Sequence, residues 1–383
     1  MIKLKELTRG IENWYLSKVK EEILKRIKEC KSIFEEDFKL VNNSETLKKF
    51  EEIEKNIKKY LIEKPDINLV LTSELDKEIN FSFEIGKILK IKAKKLELIE
   101  EYNKMCSLLS HQELFLEKNI HLKEVKEKVK NLNIKLKILK KIFNKKNIQE
   151  KQEKNKLKLE HFFKYIFDYD ILSEKKEDKI VLRHLLLSKM NVKTCPYCDR
   201  NYITSYSNVY STADLDHFYP QSDYPYLALN IYNFIPACAI CNRNLKKSKK
   251  IEINPREEEF GEDATFTLEN KIDTYLNMEL KDIDITINIK NESYLKEKIK
   301  TNIEVFKLKE IYKIHSDYVF QMIRDIRFRG NENYLKSIEE IFQEERSKIL
   351  KELILKPYKF KIENNEPLGK LTKDILKEIL GDE

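Results

Sequence analysis

Glycine and proline are scarce in this sequence, 6 and 8 among 383 residues. A chain with so few structure breakers, 41% hydrophobic and 37% charged, fits a soluble, helix-rich protein and not a disordered or fibrous one. Long apolar runs are also lacking. No stretch reaches the roughly 18 apolar residues of a membrane-spanning helix, and the opening MIKLKELTRGIENWYL has no apolar signal core. The expectation is a cytosolic protein with no membrane partner, in a compartment where thiols stay reduced. Charge of one sign is not dominant either. The formal net charge of +8 permits a polyanionic partner without requiring one. No internal repeat recurs at a fixed period.

The length suffices for two or three domains with their own cores. Residues 1–190 read as a helical region. From Ile85 onward, Ile88, Leu89, Leu96, Ile99, Tyr102, Met105 and Leu109 form an amphipathic stripe, after a break at Pro65 and Asp66. The Lys-, Asn- and Glu-rich run from Lys123 to Lys156 reads as a solvated face. Helices are expected over Phe162–Phe167 and Ile180–Met190. Composition then changes at Thr194, because five of the eight prolines fall between 196 and 255 and tyrosines crowd among them. That pattern predicts turns and short strands, residues 191–256, held by something other than a large core. Residues 257–383 read as a mixed region. Ile283, Ile285, Ile287 and Ile289 alternate with polar residues as in a half-buried strand, and helical periodicity covers Glu292–Gly330 and Glu332–Leu355.

Six cysteines in a reducing compartment are metal ligands or core residues before they are disulfides. Cys30 and Cys106 stand alone in helical patterns and read as packing. The other four form CPYC (Cys195, Cys198) and CAIC (Cys238, Cys241), the spacing of zinc knuckles. Four sulfurs close a tetrahedral shell, so the zinc would be structural. Thirty-nine residues separate Cys198 from Cys238, so something is inserted in the clasp. A thioredoxin-like dithiol is disfavoured, since no βαβ unit surrounds CPYC.

The insert contains DLDHFYP, residues 214–220. Its Asp216 can hold a hard divalent ion and the neutral imidazole of His217 can take a proton from water. Asn233 follows His217 by sixteen residues, and Asn242 follows Asn233 by nine, next to the last cysteine. Taken in order, CPYC, DLDHFYP, YNFIPACAIC and NRNLKK resemble the zinc-bearing HNH nucleases of the ββα-metal superfamily. The likeness spans residues 195–250. It implies that His217 is the general base, that Asp216 and Asn242 ligate a catalytic Mg²⁺ or Mn²⁺, and that Asn233 braces the loop bearing the base. Asn in the last position, where the family often has His, favours Mg²⁺, because an amide oxygen is a hard ligand. Arg243, Lys246 and Lys247, with Lys249 and Lys250, would contact phosphate.

The remaining candidates have bland defaults. Asp214 reads as a strand residue before it reads as a carboxylate orienting a catalytic group, and Asn244 could exchange roles with Asn242. Tyr219, Tyr224 and Tyr226 read as packing. His111, His121, His161, His184 and His315 read as structural or surface residues. The resulting expectation is an α+β chain, mostly helical, with an inserted zinc-clasped ββα-metal module and a mixed C-terminal region. It would act as a metal-dependent endonuclease on nucleic acid, DNA by family precedent. Resemblance to HNH proteins of bacterial anti-phage defence adds a partner ATPase to the expectations. The competing expectation is a zinc-organised nucleic-acid-binding or scaffold protein with an inert site.

Overall fold

The computed structural model describes residues 1–37, 44–65, 78–79, 157–173, 181–205, 210–269, 283–329, 331–342 and 355–381, and the single positions 100, 127, 130, 345 and 348. Among these, the helices are α1 (Arg9–Asp37), α2 (Ser44–Lys55), α3 (Ile57–Ile62), α4 (Leu159–Ile166), α5 (Asp170–Ser173), α6 (Leu182–Met190), α7 (Lys296–Phe306), α8 (Leu308–Tyr312), α9 (Ser316–Arg324), α10 (Glu332–Phe342), α11 (Lys356–Glu363) and α12 (Gly369–Leu380). The strands form antiparallel pairs: β1 (Glu78–Ile79) with β2 (Leu157–Lys158), β3 (Ala213–His217) with β4 (Phe234–Cys238), and β5 (Ala264–Leu268) with β6 (Ile285–Ile289). The chain is therefore α+β and mostly helical. No helix among the described residues is long and apolar enough to cross a membrane.

Two compact units divide the chain. One comprises residues 1–15, 170–223 and 231–383, the other residues 16–169 and 224–230.

The second unit is built on a helical stripe. Val19, Ile23, Ile27 and Cys30 recur every three or four residues of α1 and are all fully buried. Phe50 of α2 meets Phe162 of α4 edge-on, with ring centroids 6.0 Å apart, and Phe163 meets Tyr226 in the same way at 6.4 Å. Cys30 thus packs in a core, as its isolation in the sequence predicts. Arg26 enters this core by donating to the Tyr165 carbonyl at 2.9 Å. The Ile88–Leu109 stripe, Cys106 and most of Lys123–Lys156 lie outside the described residues.

In the first unit, β6 bears out the alternating isoleucines. Ile285 and Ile287 are buried while Thr286 and Asn288 face outward. Its partner β5 carries the same alternation in ATFTL, with Phe266 opposite Ile287. Helix α12 closes this sheet: Leu371 and Ile375 are fully buried, and Asp374 accepts the Phe266 N–H at 2.8 Å. The helical pattern expected over Glu292–Gly330 is interrupted rather than continuous. Lys307 caps α7 in the left-handed conformation, φ +52°, and turns the chain so that Phe306 and Leu308 on either side of it are both buried. Helical periodicity cannot register such a turn, because no glycine marks it.

Candidate metal centre and catalytic pocket

The four cysteines that could hold a metal ion such as zinc come from two local structures. A tight hairpin carries the first pair: Thr194 bridges Tyr202, the Cys195 N–H donates to Asn201 O at 3.0 Å, and the Asp199 N–H donates back to Cys195 O at 2.8 Å. Asp199 adopts φ +51° to make that return. Cys238 ends β4, and Cys241 is the second residue of the π-helical segment Ile240–Lys246. All four cysteines are buried and free of disulfides, and their sulfurs lie within 4.8 Å of one another. Asn201 donates its amide to Cys238 Sγ at 3.3 Å, and the Cys241 N–H points at the same sulfur at 3.5 Å. Converging thiols with N–H groups aimed at them are the donor set of a structural zinc ion, and the residues fit it.

Strand β3 sets the rest of the candidate site. Side chains alternate across a strand, so Asp214 and Asp216 share one face and His217 takes the other. Register places Asp214 opposite Ala237, Asp216 opposite Ile235 and His217 opposite Phe234. His217 is half-buried, with its ring edge-on to Phe234 at 5.1 Å.

Asn233, fully buried beside His217, clamps the chain that follows it. Its Oδ1 accepts the Tyr219 N–H at 2.7 Å, its Nδ2 donates to Tyr219 O at 3.1 Å, and its carbonyl accepts the Phe218 N–H at 2.9 Å. Arg256 supports the same place from below by donating Nε and Nη2 to Phe234 O, at 3.0 and 2.8 Å. Burial lowers its guanidinium to about 10.

The π-helical segment lies alongside the acidic face of β3, and its residues pair with it in order. Asn242 donates its amide to Asp214 Oδ2 at 3.1 Å. Arg243 clasps Asp214 with Nε to Oδ2 at 2.7 Å and Nη2 to Oδ1 at 2.5 Å, which raises the guanidinium further. Lys246 donates to Asp216 Oδ1 at 3.0 Å and to the His217 carbonyl at 2.7 Å. The other oxygen of Asp216 accepts the Tyr197 hydroxyl at 2.6 Å. Burial raises the Asp216 carboxyl, while Lys246 and Tyr197 pull it back down. Tyr197, from inside the CPYC knuckle, is raised in turn by its own burial and by the facing carboxylate.

The predicted residues are thus distributed as follows. Asn242 reaches Asp214, and Lys246 reaches Asp216. Lys246, expected at a phosphate, has a side chain only 1% exposed, whereas Arg243 and Lys247 lie at the surface. The expected pairing of Asp216 with Asn242 around a catalytic ion fares poorly on this arrangement. A divalent ion bonded to Asp216 Oδ1 would sit within about 5 Å of the Lys246 ammonium, and their repulsion would be several kcal/mol at an effective dielectric of about 20. As arranged, Asp216 and Asn242 do not fit Mg²⁺ or Mn²⁺.

Sequence reasoning missed Tyr197 and Arg256 and favoured a plain strand role for Asp214 over one orienting a catalytic group. Asp214 was findable, since two residues before Asp216 means the same strand face. A tyrosine between two clustered cysteines carries no such signal. Asn244 is exposed. Of the histidines, His184 is buried with its Nε2 3.0 Å from Arg183, and His315 accepts Arg200 Nε at 2.8 Å. His111 and His121 lie outside the described residues.

Comparison with known proteins returned nothing: no family model, no curated protein and no solved structure matches the chain.

Proposed function

We propose that this chain is a nuclease of the HNH type, whose general base is His217 and whose hairpin is held by structural zinc. The observation that carries the reading is the Asn233 clamp. Three hydrogen bonds fix the backbone directly after a half-buried histidine at a strand end. A base that must align a water molecule with a phosphorus atom needs that kind of support. The zinc, bound by Cys195, Cys198, Cys238 and Cys241, would hold the first knuckle, β4 and the π-helical segment together and leave no coordination position open.

In the proposed reaction His217 takes a proton from water, the resulting hydroxide attacks phosphorus, and the P–O3′ bond breaks. Solvent returns a proton to the leaving oxygen. Arg243 and Lys247 lie at the surface beside the pocket and supply positive charge for the phosphodiester backbone. DNA is the preferred substrate on the resemblance. A bacterial anti-phage role beside a partner ATPase is part of the same proposal.

A second reading has its own support. Asp216 is satisfied internally by Lys246 and Tyr197, as expected of a zinc-organised binding or scaffold protein with an inert site. Incubating the zinc-loaded full chain, with and without added Mg²⁺, with single- and double-stranded DNA and RNA separates the two. Cleavage that His217→Ala abolishes, in a protein that keeps its zinc and its unfolding midpoint, supports the nuclease. Equal behaviour of variant and wild type favours the scaffold.

A further inference from the structure

We propose that Lys246 is the resident cation at Asp216: tethered by the chain, it neutralises that carboxylate and keeps Mg²⁺ and Mn²⁺ off it. A lysine is almost never fully buried unless it is paired, and this one is the only lysine among the buried polar residues of the described chain. Two of its three donors are spent on the two residues at the heart of the site, Asp216 through its carboxylate and His217 through its carbonyl. The second carboxylate oxygen is closed by Tyr197, whose ring is pinned by stacking on Phe306 at 4.6 Å and 21°. Asp216 is itself only 4% exposed. The pair is therefore charge-neutral, buried and hydrogen-bonded, the condition under which a buried ion pair persists.

Placement comes from the helix. In a segment bonded i to i+5, Asn242 and Lys246 stand close to one turn apart and face the two aspartates that stand two residues apart on β3. Lys246 is thus a positioning residue. Its ammonium is buried away from solvent, and it fixes the backbone of the proposed base. Only that last role rests on the nuclease reading; the exclusion of metal from Asp216 does not.

Mn²⁺ binding to the zinc-loaded full chain, followed by electron paramagnetic resonance without nucleic acid, tests the inference. Wild type and Lys246→Arg should show no Mn²⁺ site that Asp216→Asn removes. Lys246→Met should gain such a site, at least about tenfold tighter than any in the wild type. A wild-type site lost in Asp216→Asn, or no gain in Lys246→Met, overturns the proposal. Should Lys246→Met fail to fold, anomalous scattering from Mn²⁺-soaked wild-type crystals decides: an ion on Asp216 overturns it, and an ammonium still in place upholds it. Failure of the nuclease reading would appear separately, as absence of cleavage with the Mn²⁺ result unchanged.

Discussion

Removing one oxygen atom, in Tyr197→Phe, probes the link between the four-cysteine cluster and the acidic strand. The hydroxyl donates to Asp216 Oδ2 at 2.6 Å, a short bond to a charged acceptor. Asp216 is 4% exposed and Tyr197 fully buried, so water cannot take over the lost bond. A hydrogen bond to a charged group contributes about 1.5–3 kcal/mol, and a buried acceptor left unsatisfied keeps the cost near the upper part of that range. Other contributions stay constant. The ring remains stacked on Phe306, the cavity left is smaller than a methyl group, and Lys246 still neutralises the carboxylate. The expected loss is therefore about 2 kcal/mol or more. Urea unfolding of the zinc-saturated chain, followed by zinc release to a chromogenic chelator, measures it, with an unchanged denaturant slope marking a pure stability effect. A loss under about 0.5 kcal/mol, the range of ordinary surface substitutions, would refute the reasoning.

Two further outcomes follow from the same geometry. Stripping the metal with a zinc chelator, or Cys195→Ser, should unfold the region around the β3–β4 hairpin, seen as loss of amide-exchange protection there while α1 to α4 keep theirs; retained protection in β4 would show that the clasp is not what holds it. Burial, with Arg200 alongside, lowers His315 from 6.5 to about 4, so the folded protein holds it neutral while the unfolded chain protonates it. The unfolded state then binds more protons, and stability should fall as pH drops from about 6.5 toward about 4. His315→Gln should flatten that part of the pH–stability curve, and an unchanged slope would count against it.

How much was legible beforehand depended on how local each signal is. The knuckles are legible because two cysteines three positions apart can converge on one ion through a single turn. The Ile283–Ile289 alternation is legible because a strand's two faces are set by parity. The break at Lys307 escaped, because an L-residue was placed in the left-handed region by the burial of its neighbours. Lys246 was assigned to phosphate because a basic residue in a basic run resembles its neighbours in sequence, although Lys247 is exposed and Lys246 is not.

The amino-acid order by itself determined the two CxxC knuckles, the helix-rich character and the half-buried strand, since each depends on residues within a turn or two of one another, whereas the convergence of the two knuckles on one point is tertiary. Tertiary structure alone decided which side chain meets which across the pocket: Tyr197 and Lys246 on Asp216, Asn242 and Arg243 on Asp214. Those partners lie 19 to 30 residues apart, and their meeting depends on the phase of a π-helical turn against a strand face. Burial then selects among polar partners, because a charge removed from water must take the nearest opposite charge that the packing supplies.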